Sequence, residues 1–256
     1  MAQARTEPNN TTQHPLAGNR MSGSEIMVQV LADEGVDTVF GYSGGAILPT
    51  YDAIFRYNAE NHDRMPLIVP ANEQGAGFMA AGYARASGKV GVAVVTSGPG
   101  ATNTVTPVCD CMADSVPIVV ICGQVASAAI GTDAFQEAPV SNIMSAAAKH
   151  VFLVTDATKL EATVRTAFEI ARSGRPGPVV IDVPKDVQNW EGEFAGAGVL
   201  PIPGYRQRMV ALRQNKLDNE ECVSFFDLLE KSERPLIYAG GGVINADSAY
   251  EMRQLA

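Results

Sequence analysis

The segment Leu67-Ile68-Val69-Pro70-Ala71-Asn72-Glu73-Gln74-Gly75-Ala76 joins a short apolar run to a helix-forming run of small residues, 77–86. This pattern predicts that Glu73 lies at the carboxyl end of a buried parallel strand and in the first turn of a helix. Open α/β sheets place their ligand crevice at that edge. Glu73 is therefore a candidate functional carboxylate, although a negative charge in a first helical turn also stabilises the helix without any chemistry.

Apolar runs of the same kind recur along the chain and alternate with helical periodicity. The predicted strands are 38–41, 67–71, 90–96, 117–122, 150–154 and 178–184, and the predicted helices include 22–34, 47–57, 139–148 and 158–172. Strands that alternate with helices form right-handed βαβ units. The fold class is therefore predicted to be α/β, a doubly wound parallel sheet with helices on both faces.

Changes in periodicity predict four segments. Residues 1–21 are polar and are predicted to be a disordered tail, and residues 22–187 form the doubly wound domain. Residues 188–217 lack periodicity and are rich in glycine and proline, which is typical of a linker. Residues 218–256 contain a helix, the apolar run 235–239 and a glycine turn, and are predicted to begin a second α/β domain.

The composition argues against several classes of function. The chain has 256 residues and a formal net charge of -9, whereas surfaces for nucleic acid or anionic membranes cluster Lys and Arg. Small anionic substrates stay open, because a local Lys or Arg can hold them. No apolar run approaches the roughly 18 residues that span a bilayer. The four cysteines form no CxxC pair and the three histidines are scattered, so we predict no metal site, no disulfides and a reducing cytoplasm.

Two glycine-rich turns, Gly98-Pro99-Gly100 and Gly240-Gly241-Gly242, each follow a predicted strand and open a helix. Both carry an asparagine, Asn103 or Asn245, where the dinucleotide fingerprint has its third small residue, so neither turn alone is evidence for a phosphate site. The sequence contains no P-loop and no compelling Ser/His/Asp order. Neither a nucleoside triphosphatase nor a serine hydrolase is predicted.

Six motifs in one order are far more specific than any of them alone. They are Tyr42-Ser43-Gly44-Gly45-Ala46, Glu73-Gln74-Gly75, Gly82-Tyr83-Ala84-Arg85, Thr96-Ser97-Gly98-Pro99-Gly100-Ala101-Thr102-Asn103, Gly131-Thr132-Asp133-Ala134-Phe135-Gln136-Glu137 and Gly174-Arg175-Pro176-Gly177-Pro178-Val179. In this order they resemble the amino-terminal, pyrimidine-binding domain of the thiamine-diphosphate enzymes. The segment 131–137, with Lys149-His150 and Pro184-Lys185-Asp186-Val187, is similar to the acetohydroxyacid synthase (acetolactate synthase) catalytic subunits.

The resemblance implies a role for Glu73. In family members the matching glutamate hydrogen-bonds a pyrimidine nitrogen of thiamine diphosphate, which helps the cofactor's own aminopyrimidine remove the thiazolium proton. An apolar site that raises the pKa of the carboxyl would help it share that proton. Glu73 is therefore expected to activate the cofactor.

The resemblance also implies the other site residues. Glu73, Gln136 and Lys185 match catalytic positions, and Phe135 and Lys185 match residues that line the substrate channel. The cofactor-binding positions are Tyr42, Gly44, Gly45, Ala46, Glu73, Asn103 and Gln136 for thiamine diphosphate, and Arg175, Gly240, Gly241 and Gly242 for FAD. The family's magnesium ligands belong to a Gly-Asp-Gly motif that this sequence does not contain, so they are expected to lie outside this chain.

The reaction that the resemblance implies is decarboxylation of pyruvate and transfer of the two-carbon unit to a second 2-oxo acid, pyruvate or 2-oxobutyrate, in branched-chain amino acid biosynthesis. The implied assembly is a homodimer or larger, with a small regulatory subunit as a further partner. We expect this sequence to be the amino-terminal part of a longer, three-domain chain and to be inactive alone.

Ser43 and Asn72 depart from the family's usual proline and histidine, and Ala126-Ser127 from a proline and arginine. These departures bear on the acceptor substrate more than on the cofactor. Two alternatives stay open. One is a different thiamine-diphosphate carboligase or decarboxylase of 2-oxo acids, and the other is a non-catalytic module that pairs with a separate chain.

Overall fold

The computed structural model describes residues 13–214 and 217–256. Contacts within these residues form two compact units, of which the first ends at Ile202 and the second comprises Pro203–Ala256. The first unit thus extends past residue 187, the predicted end of the domain, and takes in part of the predicted linker. The four predicted segment boundaries remain predictions, and residues 1–12 of the predicted tail lie outside the described residues.

Six strands of the first unit form one parallel sheet. Among the described residues this unit has eight strands, of which β1 and β8 lie outside the parallel sheet. In chain order they are β1 (Arg20–Ser22), β2 (Val39–Tyr42), β3 (Leu67–Ile68), β4 (Gly91–Val95), β5 (Ile118–Gln124), β6 (His150–Leu153), β7 (Val179–Pro184) and β8 (Glu191–Glu193). The parallel sheet has the order β3-β2-β4-β5-β7-β6. Every residue of β4, β5 and β7 is buried, which explains their continuous apolar sequences. The predicted doubly wound parallel sheet is confirmed.

Strand β3 is shorter than the predicted strand 67–71. It pairs only with β2, through Val39↔Leu67 and Phe40↔Ile68, and lies at the edge of the sheet. Pro70 has no backbone N–H to donate and therefore cannot extend the ladder. The chain leaves the sheet early, and residues 69–72 lead into the Glu73 helix.

Helices cover both faces of the sheet. They are α1 (Gly23–Asp33), α2 (Leu48–Glu60), α3 (Glu73–Ser87), α4 (Pro99–Thr102), α5 (Val105–Asp114), α6 (Val140–Ser145), α7 (Leu160–Arg172) and α8 (Lys185–Asn189). Helix α1 contacts α2, α7 and α8. Residues of α3, α5 and α6 form a separate apolar cluster with alternate residues of β4 and β5. No helix that the structure describes combines the length and apolarity of a membrane span.

A capping box starts α1 at the predicted place. The Ser22 hydroxyl accepts from the Glu25 backbone N–H at 3.2 Å, and the Glu25 carboxylate accepts from the Ser22 N–H at 2.7 Å. This reciprocal pair satisfies two of the helix's unpaired donors. The first helix of the domain is therefore fixed locally by its own sequence.

Two segments that the sequence assigns to a tail and a linker are held against the first unit. Strands β1 and β8 pair antiparallel, and Phe194 is fully buried. Arg165 lies over the Phe194 ring and pairs with Asp33 at 2.7 Å and Glu161 at 3.0 Å. His14 Nε2 donates to Asp33 Oδ1 at 3.2 Å, because Nδ1 accepts from the Leu16 N–H. Burial of Phe194, the hydrogen bond between His14 and Asp33 and that from the Ala195 N–H to Glu161 anchor both segments to α1 and α7.

Asp182 of β7 is a buried carboxyl that pairs with no cation in the part of the chain that the structure describes. Its Oδ2 accepts from Gln124 Nε2 at 3.1 Å, and its Oδ1 has no hydrogen-bond partner within the described residues. Burial raises the pKa of Asp182 to about 7. The folded protein therefore holds this carboxyl in its protonated form over a pH range where an unfolded aspartate is ionised.

We expect Asp182→Asn to change how stability depends on pH. Between about pH 4 and 7 the folded wild type binds one more proton than the unfolded chain, so its free energy of unfolding falls as pH rises through this window. Asparagine stays neutral, and the stability of the variant relative to wild type should increase by about 2 kcal/mol from pH 5 to pH 8. Urea unfolding at both pH values measures this, with the exposed Asp63→Asn as control. Parallel pH profiles for Asp182→Asn and wild type would refute the assignment.

The second unit is described by itself. It contains α9 (Tyr205–Gln214), α10 (Asn219–Glu230), α11 (Gly242–Asn245) and α12 (Ala249–Leu255). The predicted strand 235–239 is wrong, since no strand forms there and Leu236 and Tyr238 are 90% and 97% exposed. A parallel strand needs a neighbouring strand, and the described part of this unit contains none.

Candidate functional site

The strand order places a crevice between β2 and β4. From β2 the chain moves outward to β3 and then crosses back to β4 on the other side of β2. The loops that follow β2 and β4 therefore diverge, which is where open α/β sheets bind ligands. Close contact between these loops needs glycine, since a Cβ on Gly44 would lie 2.5 Å from Thr96 Cγ2.

Glu73 lies at this carboxyl edge, as predicted. The prediction that the preceding strand is buried is wrong, because β3 is the outermost strand of the sheet and Ile68 is exposed. It is the first residue of α3, and the Asn72 side chain caps the helix by accepting from the Gly75 N–H at 2.8 Å. The cap fixes the backbone at Glu73, because a helix N-terminus otherwise leaves its first N–H groups unpaired. Only 9% of Glu73 is exposed. A carboxylate is thus held rigidly in a nearly closed environment.

The two oxygens of Glu73 have different surroundings. Oε2 accepts from Asn103 Nδ2 at 2.9 Å. Oε1 accepts no hydrogen bond from the described residues, and a Cβ on Gly100 would lie 3.3 Å from it. Asn103 belongs to the turn between α4 and α5. One oxygen is therefore fixed by the protein, while the other is available to a ligand beside Gly100.

The remaining wall of the site contains two buried hydroxyls. Thr96 Oγ1 has no partner within the described residues, although buried polar groups are almost always hydrogen-bonded. The Tyr51 hydroxyl donates to the Val94 carbonyl at 3.0 Å. Burial, and secondarily the charge of Glu73, raises the pKa of Tyr51. The Thr96 hydroxyl is therefore available to hydrogen-bond a polar atom of a ligand.

We expect Gly100→Ala to damage the site. The added Cβ would lie 2.6 Å from Thr96 Cγ2 and 3.3 Å from Glu73 Oε1, so both side chains must shift, at a cost of about 1–3 kcal/mol in stability. Affinity for a ligand of Glu73 should also fall, as titration calorimetry would measure. Gly82→Ala is the control, because its Cβ meets nothing within 4 Å and helix propensity favours alanine by about 1 kcal/mol. Equal behaviour of the two variants would contradict this prediction.

Other predicted residues converge on the same edge. Tyr42 is the last residue of β2, and Gly44, Gly45 and Ala46 follow it. Gln136 reaches the turn after β4, where a Cβ on Gly98 would lie 2.3 Å from the Gln136 carbonyl oxygen. Gly98 also has φ +55, a conformation that favours glycine. The structure thus brings together the loops that carry the predicted thiamine-diphosphate positions.

Lys185 and Phe135 are exposed near this edge. Lys185 follows β7 directly, and it lines an open groove of about 470 Å³ with Leu48, Asp52 and Arg56 among others. The Phe135 side chain is 88% exposed. Neither residue touches Glu73 through a described hydrogen bond. Their predicted roles at the substrate channel remain predictions.

Arg175 lies at the amino ends of the strands, opposite the carboxyl ends where Glu73 lies, because it precedes β7. Its guanidinium donates to Ser115 Oγ at 2.8 Å and to the carbonyls of Met112 and Ala113 at 2.8 and 2.9 Å, at the end of α5. These contacts satisfy carbonyls at a helix C-terminus. The structure does not bring Arg175 to Glu73, and Gly240, Gly241 and Gly242 belong to the other unit.

Gln188 is a site-supporting residue that the sequence analysis did not find. Its fully buried side chain donates from Nε2 to the carbonyls of Ala46, at 2.8 Å, and Val183, at 3.0 Å, and accepts from Thr50 Oγ1 at 2.9 Å. It ties the loop after β2 to β7 and α2. Nothing in the local sequence signals this, since a glutamine at the start of a predicted linker is ordinarily exposed.

No metal site accompanies these residues. Within residues 13–214 and 217–256, no three His, Cys, Asp or Glu side chains converge in a way that could hold an ion. The expected magnesium ligands outside this chain remain a prediction.

Comparison with known proteins identifies the family. Residues 21–146 match the model of the thiamine pyrophosphate enzyme, N-terminal TPP binding domain. Residues 21–146 belong to this family of N-terminal thiamine pyrophosphate binding domains. The matched residues of this thiamine pyrophosphate domain include β2, β3, β4 and the loops that follow these three strands. The resemblance that the motifs indicated is confirmed, and thiamine diphosphate (thiamine pyrophosphate) is the cofactor of the domain.

The chain is also similar to curated acetolactate synthase subunits. The acetolactate synthase large subunit of Corynebacterium glutamicum is 43% identical over 240 residues, covering 94% of this chain and 37% of the relative. The mitochondrial acetolactate synthase catalytic subunit of Saccharomyces cerevisiae is 44% identical, covering 92% and 34%. The acetolactate synthase isozyme 2 large subunit of Escherichia coli is 41% identical, covering 91% and 40%. The chain thus spans little more than a third of these curated relatives.

Proposed function

We propose that this chain is the amino-terminal part of an acetolactate synthase catalytic subunit. The proposed reaction is decarboxylation of pyruvate and transfer of the two-carbon unit to a second 2-oxo acid. The observation that carries the proposal is the Glu73 carboxyl: Asn103 holds Oε2, and Oε1 lies beside Gly100 and accepts no hydrogen bond from the described residues. The names of the relatives, at 41–44% identity, support the substrate assignment.

When bound, thiamine diphosphate supplies the nucleophilic carbon that adds to the 2-oxo acid. Glu73 would share a proton at Oε1 with a pyrimidine nitrogen of the bound cofactor. Asn103 keeps the carboxyl oriented through Oε2, so that no side-chain rotation is needed when the proton moves. The Thr96 hydroxyl, which has no partner among the residues that the structure describes, would bind a further polar atom of the ring. The glycines of the loops after β2 and β4 keep side chains away from the ligand.

Residues at the rim of the site would attract the substrates and line their path. Lys185 is exposed, and within the described residues it forms no ion pair. A free ammonium at the carboxyl edge of the sheet can attract the carboxylates of pyruvate and 2-oxobutyrate. Phe135 and Gln136 would line the path of the acceptor, and Gln136 would also contact the cofactor. Ser43 and Asn72, which replace the family's usual residues, border the same crevice and would influence the choice of acceptor.

Two further ligands belong to the proposal. Magnesium would bind the cofactor's diphosphate through residues outside this chain. FAD would contact Gly240, Gly241 and Gly242, around which an added Cβ meets nothing within 4 Å. The fit of FAD to Arg175 is weaker, because that guanidinium already donates to the end of α5.

The proposed assembly is at least a homodimer in the cytoplasm, with a small regulatory subunit as a further partner. Two adjacent exposed apolar side chains on the helix that begins at Glu73, Phe78 and Met79, support a subunit contact beside the site. Exposed apolar patches of this kind mark protein interfaces. A monomeric holoenzyme in sedimentation would contradict the assembly.

Product analysis tests the function. The full-length protein, loaded with thiamine diphosphate, magnesium and FAD, should convert pyruvate to acetolactate. Acetaldehyde without acetolactate would show that the protein is a decarboxylase of the same cofactor family. A folded, cofactor-loaded protein that forms neither product would reject the proposed substrate.

A further inference from the structure

The loop 131–137 is closed by one of its own carboxylates. Glu137 Oε1 accepts from the Gly131 N–H, and Oε2 accepts from the Ala134 N–H at 3.0 Å. The Glu137 N–H in turn donates to the Ala134 carbonyl at 2.9 Å. Both oxygens of a single side chain therefore hold the backbone of a short surface loop in one conformation.

The loop that Glu137 closes has an uncommon backbone conformation. Asp133 and Gln136 have φ +57 and +56, which is the left-handed region that residues other than glycine rarely adopt. They flank Phe135, whose side chain is almost fully exposed. Such backbone conformations persist where surrounding contacts determine them and cluster at ligand sites. Without the carboxylate, Phe135 and Gln136 would sample other orientations.

The loop is also joined to the turn after β4. Gly98 leaves no room for a side chain against the Gln136 carbonyl, with 2.3 Å between that oxygen and an added Cβ. The backbone of Gln136 therefore packs closely against the turn that leads to Gly100 and the Glu73 carboxyl. Backbone N–H groups, Gly131 first, also hold the pKa of Glu137 below its usual value, so the carboxylate is charged at neutral pH.

We propose that Glu137 is a positioning residue that sets the orientation of Phe135 and Gln136 for the second 2-oxo acid. Glu137 touches neither Glu73 nor, on this proposal, the reacting atoms. Its carboxylate instead keeps the acceptor side of the site in the productive conformation before substrate arrives. The proposal rests on the proposed function for the roles of Phe135 and Gln136, while the loop's order is independent of that function.

Glu137→Gln tests the proposal in the full-length, cofactor-loaded protein. The amide has the same shape, but its NH2 group cannot accept a hydrogen bond. Asp133→Asn is the matched control, because it removes the same charge from the same loop, and the Asp133 carboxylate has no described partner. Two measurements are made on each variant: hydrogen exchange of the peptide covering 131–137, and the KM and kcat of acetolactate formation from pyruvate.

In Glu137→Gln we expect exchange in the loop to increase at least about tenfold, with exchange in β4 and β5 unchanged. KM should increase about fivefold or more while kcat stays within about twofold. Asp133→Asn should match wild type in both measurements. Unchanged loop exchange in Glu137→Gln would overturn the proposal, and so would faster exchange without a change in KM. A wild type that forms no acetolactate would instead contradict the proposed function, and loop exchange alone would then decide whether Glu137 orders the loop.

Discussion

Glu73→Gln should lower acetolactate formation by the full-length enzyme at least about tenfold, a loss of about 1.4 kcal/mol of transition-state stabilisation. Glutamine keeps the shape of the side chain, and its carbonyl can still accept from Asn103. Its amide cannot share a proton with a pyrimidine nitrogen, which is the task proposed for Oε1. The loss should therefore appear in kcat rather than as a loss of folded protein.

Steady-state kinetics at saturating thiamine diphosphate and magnesium measure the Glu73 effect, and thermal unfolding checks that the variant is folded. The exposed Glu60 at the end of α2 supplies the control, since Glu60→Gln removes a carboxylate with no described partner. Activity of Glu73→Gln within about twofold of wild type would mean that Glu73 merely starts the helix, a stabilisation of at most about 1 kcal/mol.

Gln188→Leu should cost at least about 3 kcal/mol of unfolding free energy. Leucine has a similar volume but removes three hydrogen bonds, those to the carbonyls of Ala46 and Val183 and that from the Thr50 hydroxyl. Each buried, unsatisfied group costs about 1–3 kcal/mol. Because the Ala46 carbonyl belongs to the loop after β2, the affinity for thiamine diphosphate should fall together with stability.

Urea unfolding measures the Gln188 effect, and Asn189→Leu is the neighbouring control. Asn189 is exposed, so its substitution should change stability by no more than about 0.5 kcal/mol. A Gln188→Leu protein as stable as the control would mean that water or a shifted side chain satisfies the three groups, and Gln188 would then have no special role in holding the site.

The features that the sequence predicted well are those that local chemistry determines. Strands β4, β5 and β7 are apolar throughout because both of their faces are buried. The Glu73 helix begins where it does because Asn72 caps it. Since strand ends and helix starts meet at one edge of a parallel sheet, the place of Glu73 follows from the order of its own neighbours in the chain.

The features that the sequence did not predict depend on partners far away in the chain. Strands β1 and β8 pair although about 170 residues of sequence separate them. Neither segment is apolar enough to predict a strand alone. Gln188 acquires its role from Ala46 and Thr50, which no local pattern connects to it. The apolar run 235–239 has strand character in its sequence but forms no strand among the described residues, because β structure requires a neighbouring strand.

The most direct test of the role of Glu73 needs no 2-oxo acid. It is the rate at which the thiazolium proton of bound thiamine diphosphate exchanges with deuterium from the solvent, measured by quenched-flow NMR in wild type and Glu73→Gln. We predict at least about tenfold slower exchange in the variant at equal cofactor occupancy, because the amide cannot assist the aminopyrimidine in removing that proton. Equal exchange rates in the two proteins would contradict the assignment of Glu73 as the group that activates the cofactor.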